Sequence, residues 1–466
     1  MRKFSAPMTA PVLLLLRREL RTADNAALAG ALASGRPVLP VFVLDEVSPG
    51  AWAPGGASRW WLHHSLAALQ DDLAALGAPL VLRRGRIEFE VPQLVAETGA
   101  MEVHAGMPTE PWASGLYHTL RAALPVKLVV HETTLLLHPD RVRTQADTPY
   151  GVYTPFSRAC KAQFPLPTPL PAPEHIPAPP CPRSDVLGDW GLLPQRPDWA
   201  GGLRASWRPG ERGAMTRLLA FRDAGLSGYA DQRDVPGVDG TSMLSPHLAW
   251  GEISPRQILA VVGSGSEKFT NEVLWREFAA NLLWHHHGLP DAPLRPEFAE
   301  MPWREDAAGL AAWQRGRTGI PLVDAGMRQL WQTGWMHNRV RMVTASFLVK
   351  HLMLPWQAGE AWFWDTLVDA DLAQNAASWQ WVAGCGADAA PYFRVFNPAL
   401  QGAKFDPTGA YVRRYVPELA QVPDRFVHTP WEAPNPPRQY PAPVVDLAVG
   451  RERALAAFAA LKRSAA

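Results

Sequence analysis

The sequence is poor in cysteine. Cys160, Cys181 and Cys385 are too few and too far apart for a disulfide framework or a C-x-x-C knuckle. That predicts a reduced protein without structural zinc. It also lacks any long apolar run. Val12 to Leu16 is five residues, ended by Arg17 and Arg18, too short for a signal peptide or a membrane span. The chain is therefore expected to be soluble, cytoplasmic and free of the membrane. Charge of one sign is lacking too. Forty-five Lys and Arg against 44 Asp and Glu leave a formal net charge of +1. This excludes a strongly basic tail but leaves room for a basic patch on one face. Finally, no G-x-G-x-x-G follows the first apolar run, which argues against an NAD-type dinucleotide site there.

Tryptophan is what the chain has in quantity. It has 20, and eleven of them lie between Trp275 and Trp381. A buried indole needs a partner for its N–H, so large cores use Leu and Phe more freely. Such density points to planar ligands, stacked bases or electron transfer, with a Trp-heavy core as the alternative.

At 466 residues the chain has room for two or three domains. The apolar runs Val12–Leu16, Val38–Leu44, Leu80–Leu82, Val103–Ala105 and Leu128–Val130 read as strands. Helix-like segments at Asn25–Leu32, Ser58–Leu76 and Glu90–Thr98 lie between them. This alternation predicts an N-terminal α/β domain over 1–132, doubly wound on a mainly parallel sheet. Residues 133–205 include PLPTPLPAPEHIPAPPCP from Pro165 to Pro182, and read as a Pro-rich connector. From 206 to 466 the pattern is helical, predicting an all-α domain. Its expected helices are Arg217–Ala224, Ser254–Val262, Asn271–His287, Ala307–Arg315, Leu322–Thr333, His337–His351 and Glu360–Leu367.

Several segments carry chemistry. In Gly240-Thr-Ser-Met-Leu-Ser-Pro246, hydroxyls and free backbone N–H groups before a helix can hold a diphosphate, although an ordinary N-cap looks the same. Glu272, Trp275 and Arg276 share a helix face at i, i+3 and i+4. That suits an aromatic ligand, or an exposed ion pair beside a half-buried Trp. Asn338 and Met342 stand one turn apart, with Arg341 beside them and Arg339 free to meet a phosphate. Asp369 and Asp371 could hold ribose hydroxyls or pair with Arg341; no ligand set for a metal is evident. Trp379 and Trp381 lie ~200° apart on a helix, so they serve different surfaces.

Together these segments resemble the DNA photolyase/cryptochrome family, most nearly the class I cyclobutane pyrimidine dimer photolyases. The resemblance starts weakly at Leu16-Arg-Arg-Glu-Leu-Arg-Thr-Ala-Asp-Asn25. It is strong in Gly240 to Pro246, Trp313 to Gly319, Gly334 to Met342, Trp379 to Trp381, and Asp388-Ala-Ala-Pro-Tyr-Phe-Arg-Val-Phe-Asn-Pro398. It implies a helical FAD-binding domain. Tyr229, Thr241, Ser242, Met243, Leu244, Ser245 and Arg276 would contact the cofactor. Asp369 and Asp371 would lie along it, with Arg341 paired to Asp369 and Asn375 beside flavin N5. Trp379, Trp356 and Trp303 match the family's electron relay. Glu272, Trp275, Asn338, Met342 and Trp381 match its lesion pocket, and Arg233, Arg339, Arg394 and Lys404 its phosphate contacts.

The activity implied is light-dependent repair of pyrimidine dimers in UV-damaged DNA, with reduced FAD as the active form and the protein acting as a monomer. A cryptochrome-type photoreceptor with the same fold and FAD is the alternative. Asn375 stands where plant cryptochromes usually carry an acid, and no long tail follows. A (6-4) photolyase would need a histidine pair where Asn338 and Met342 stand. A second, antenna chromophore is expected without an identity, because Trp112 and Ala113 replace the folate-contacting Asn-Glu pair of some members.

Overall fold

The computed structural model describes residues 10–263, 265–389 and 393–464. Ala390, Pro391 and Tyr392 of the last quoted motif lie outside the described residues. Five parallel strands, β1 (Val12–Leu16), β2 (Val38–Leu44), β3 (Val81–Arg84), β4 (Glu102–Gly106) and β5 (Lys127–His131), form one sheet in the order β3-β2-β1-β4-β5. Every residue of β1 and β2 is buried, as expected of a parallel sheet covered on both faces. Alternation along the strands divides the covering. Val12, Leu14 and Leu16 pack with α1 (Ala26–Ala33) and α2 (Gly56–Ala75). Leu13 and Leu15 pack with α3 (Ile87–Thr98) and α4 (Pro111–Ala123). The doubly wound α/β expectation holds, and all five expected strands form. Helix α4 was not among the expected helices. Its buried residues Ala113, Leu116, Tyr117 and Leu120 recur at i, i+3, i+4 and i+7, one face of a helix.

The 133–205 region is less extended than its prolines suggest. It contains α5 (Tyr153–Lys161), whose Tyr153, Phe156 and Cys160 are buried against the helical part, and then α6 (Gly201–Ser206). The proline-rich stretch itself is irregular and is bound to the α/β part. Val38 donates its N–H to the Pro177 carbonyl at 2.7 Å, and Ile176 to Leu76 and Asp185 to Leu82 at 2.8 Å.

The remainder is helical: α7 (Glu211–Ala220), α8 (Tyr229–Gln232), α9 (Ser245–Ala249), α10 (Pro255–Val262) and α11 (Glu267–His285). There follow α12 (Ala307–Gln314), α13 (Pro321–Thr333), α14 (Asn338–Ser346), α15 (Trp356–Thr366) and α16 (Leu372–Ala383). The chain closes with α17 (Pro398–Phe405), α18 (Ala410–Tyr415) and α19 (Leu447–Ser464). π-Helical turns at Phe221–Gly225 and Phe347–His351 continue α7 and α14. Among the described residues no helix is long and apolar enough to cross a membrane, and no cluster of His, Cys, Asp or Glu could hold a metal.

The segment after β1 locks the two parts together. Arg18 donates to the Ala249 carbonyl at 2.9 Å, Leu20 N–H to Trp250 at 3.2 Å, and Arg21 to Gly251 at 2.9 Å. Asp24 pairs with Arg256 at 2.8 Å and accepts from the Ser254 hydroxyl. The approach is so close that a Cβ on Gly251, whose φ is +64°, would overlap the Arg18 carbonyl.

A second tie is Glu277 on α11, which accepts from Leu136 N–H at 2.8 Å and from Arg276 at 3.2 Å. Burial pushes its carboxyl up to about 7, against the pull of Arg276 and the backbone N–H groups. The folded state thus holds a proton that the unfolded chain releases near 4.5, so stability falls as pH rises between about 4.5 and about 7. Glu277→Gln removes that titration. Thermal unfolding across this window should show the variant gaining on the wild type with rising pH and a constant offset above it.

Candidate functional site

The site is built around an ion pair. Arg341, on α14, donates to Asp369 Oδ2 at 2.8 Å and to the Met336 carbonyl at 2.7 Å. The Asp369 side chain is 3% exposed, and its other oxygen, Oδ1, is buried without a hydrogen-bond partner. A buried carboxylate is tolerable when paired, and its second oxygen calls for a donor. The guanidinium also lies 5.9 Å from the Trp335 ring, and the Trp335 indole donates to Ser245 Oγ at 3.2 Å. One pair therefore gathers the start of α9, the start of α14 and the turn before α16.

The residues expected to meet a cofactor lie on these elements. In the Thr241–Ser245 turn Met243 is held at φ +49° and the Ser242 hydroxyl faces the Leu244 N–H at 3.4 Å. Arg217 fastens the turn from outside, donating to the Ser242 carbonyl at 3.0 Å. Helix α9 after it has only five residues. Tyr229 is buried against Phe221 and Phe269. Asp371 caps α16, accepting from Gln374 N–H at 3.0 Å. Asn375, one turn further, is buried and donates to the Glu360 carbonyl at 3.0 Å.

Glu360 is a residue that sequence reasoning passed over, since one acid in a helix carries no signal. It is 1% exposed, its Oε1 has no partner, and burial pushes its carboxyl up to about 9. Two orphaned acid oxygens, a guanidinium and a strained hydroxyl-bearing turn fit a cofactor that offers hydrogen-bond donors and a phosphate, as FAD does.

The expected grouping of Glu272, Trp275 and Arg276 is corrected in part. Glu272 pairs with Arg233, not with Arg276. Arg276 turns to the Thr134 carbonyl at 3.0 Å and to Glu277, and its own carbonyl accepts from Gln374 at 2.9 Å. It serves the join between the stretch after β5, α11 and α16. Asn338 is exposed at the first position of α14, and Met342 is half-buried one turn on.

The two tryptophans of α16 separate as their angle requires. Trp379 is 2% exposed and packs edge-on to Phe363 at 5.0 Å and Trp313 at 6.2 Å. Trp381 is half-buried and donates its indole N–H to the Asp388 carbonyl at 3.1 Å. Trp356 is buried at the start of α15, and Trp303 is half-buried. The basic residues are partly engaged. Arg339 pairs with Asp234 at 3.0 Å and lies 4.5 Å from the Phe405 ring, with Lys404 4.9 Å from the same ring. Arg394 is exposed.

A separate cavity of about 340 Å³ opens beside β5, lined by Met107, Tyr117, Arg121, His131, His138 and Trp284 among others. Trp112 stands nearby in sequence but is covered by Arg17, 5.3 Å from its ring, and Ala113 is buried.

Comparison with known proteins follows the same outline. Residues 12–174 match the family described as DNA photolyase, and residues 269–460 match the FAD binding domain of DNA photolyase. The deoxyribodipyrimidine photo-lyase of Agrobacterium fabrum is 46% identical over 98% of this chain and 99% of its own. Cryptochrome-1 of Arabidopsis thaliana is 34% identical, over 94% of this chain and 68% of its own. The crystal structure of a class III photolyase from Agrobacterium tumefaciens superposes with a TM-score of 0.93, at 46% identity, over 99% of this chain and 100% of that one. The class I affinity expected from the motifs gains no support from these matches.

Gly359 tests the packing around Trp379. A Cβ there would overlap the Trp379 ring. Gly359→Ala should cost about 1–3 kcal/mol in denaturant unfolding, reversing the gain that Ala ordinarily brings inside a helix.

Proposed function

The chain belongs to the DNA photolyase and cryptochrome family, and from that premise we propose that it is a deoxyribodipyrimidine photo-lyase. It repairs cyclobutane pyrimidine dimers in UV-damaged DNA in a light-dependent reaction and works as a monomer. The observation that carries this reading is the placing of two half-buried tryptophans, Trp275 and Trp381, on the packed helices α11 and α16. Asn338 and Met342 stand on α14, which also packs on α16.

FAD, when bound in its reduced form, supplies the light absorption and the single-electron chemistry. Asp369, Arg341, Tyr229, Asn375 and the Thr241–Ser245 turn would hold it, with Asp371 beside them. The protein's own work is recognition. A damaged pair stacks poorly, so extruding it costs less than extruding an intact one. Trp275 and Trp381 offer it ring faces worth roughly 1–3 kcal/mol per base. Asn338 offers an amide to a pyrimidine edge and Met342 an adaptable apolar contact. Glu272 becomes available to the substrate when Arg233 exchanges it for a phosphate.

Trp379, Trp356 and Trp303 pass from buried to half-buried, an order suited to drawing an electron inward from the surface. The cavity beside β5 is the candidate seat for a second chromophore.

Mixing the reduced, flavin-loaded protein with an oligonucleotide carrying a thymine dimer tests the assignment. Monomeric thymine should be recovered in blue or near-ultraviolet light and not in the dark. No recovery in light would sink it and favour a photoreceptor.

The ion pairs make a further expectation. Asp234 occupies Arg339 in the free protein. Asp234→Asn should raise the affinity for damaged and undamaged DNA severalfold alike. It should also steepen the slope of log affinity against log salt by about 0.9, read by anisotropy at several salt concentrations.

A further inference from the structure

Tyr153 lies in the region that reads as a connector, yet its ring is stacked flat on Trp275. The ring centroids are 3.7 Å apart and the planes differ by 5°. The tyrosine is only 9% exposed, and Phe278 stands edge-on to both rings, at 6.0 Å from Tyr153 and 5.7 Å from Trp275. Its hydroxyl donates to the Asn271 carbonyl at 2.7 Å. That carbonyl is four residues before Trp275 and so belongs to the helical turn that carries the indole. Ring and hydroxyl together fix Tyr153 to Trp275's own turn.

The neighbouring residues reach the second tryptophan. Asp388 donates its N–H to the Gly151 carbonyl at 3.2 Å, and its carbonyl accepts the Trp381 indole N–H at 3.1 Å. Asp388 adopts φ +51°, the left-handed region that Asp takes up more readily than most side chains. A continuous connection therefore runs from Trp275 through Tyr153, Val152 and Gly151 to Asp388 and Trp381. One face of the Trp275 ring is taken by Tyr153, which leaves the opposite face for a stacked base.

We propose that Tyr153 is a positioning residue for lesion recognition, seating Trp275 and, with Gly151 and Asp388, setting the gap between the two tryptophan rings. The proposal rests on the repair reading, because it takes these rings to be the walls that receive the flipped dimer. Tyr153 touches no substrate itself. It acts by holding Trp275 in one orientation before DNA arrives, so that no ordering cost is met on binding.

The test is equilibrium binding in the dark to an oligonucleotide with one thymine dimer and to the same oligonucleotide undamaged. The readout is the ratio of the two affinities. Tyr153→Leu should lower that ratio about 3- to 10-fold, with undamaged binding and the flavin absorption spectrum unchanged. Tyr153→Phe, which keeps the stacked ring, should restore the ratio to within about twofold of the wild type. If Tyr153→Leu is not recovered with flavin, Tyr153→Met carries the same expectation. A wild-type preference for the dimer that persists in full in the Leu or Met variant overturns the positioning role alone. No preference in the wild type overturns the repair reading, and the positioning role with it.

Discussion

The ion pair between Arg341 and Asp369 is the contact on which the site depends. Three segments far apart in sequence meet there: the turn before α9, the head of α14 and the approach to α16. Leaving either charge alone in such a place would cost several kcal/mol, so the segments have a strong reason to converge. The pair satisfies only one oxygen of Asp369, and Glu360, whose carbonyl accepts from Asn375, keeps a buried acid oxygen without a partner. A folded protein seldom tolerates such orphans without a use for them. The helical domain thus spends stability to preserve a polar cradle, and FAD has the donors and the phosphates to answer it.

Helix α16 turns this cradle into a boundary. Asp371 caps it, and Asn375 in its first turn donates to the Glu360 carbonyl. Its last turn sends Trp379 into the core and Trp381 to the half-exposed side facing Asp388. A period of 3.6 residues is enough to separate the two indoles, and packing then gives each a distinct surrounding. Gly359 is part of this arrangement, because α15 can lie against the Trp379 ring only where no Cβ intervenes. The tryptophan excess is consequently several structural solutions: a stacking face at Trp275, an indole anchored by hydrogen bond at Trp381, and rings closely packed around Trp379.

The two parts of the chain are joined by backbone-directed contacts, not by a large apolar seam alone. Arg18, Leu20 and Arg21 all address carbonyls of residues 249–251, and Asp24 reaches across to Ser254 and Arg256. Carbonyls cannot be altered by substitution, so such a lock constrains the arginines and the shape of the turn. Leu16 to Asn25 thus has a structural task, holding the two parts of the chain together. In the same way Tyr153, placed by the sequence in a linker, is brought onto the Trp275 ring by the fold.

The strands were legible from apolar runs because both faces of a parallel sheet are buried, and β1 and β2 match the expected bounds. The helical character of the second half followed from its periodicity, and the pairing of Arg341 with Asp369 from the motifs. Other features had no local signature. Glu272 took Arg233 in place of Arg276, and Glu360, Gly359 and Tyr153 gave no sign of their positions. Sequence alone determined the two-part architecture and the residue types of the site, since periodicity and motif spacing are local properties of the chain. Tertiary structure decided which charge meets which, which acid is stranded without a partner and which ring lies on Trp275, because those depend on desolvation and on approach between segments separated along the chain.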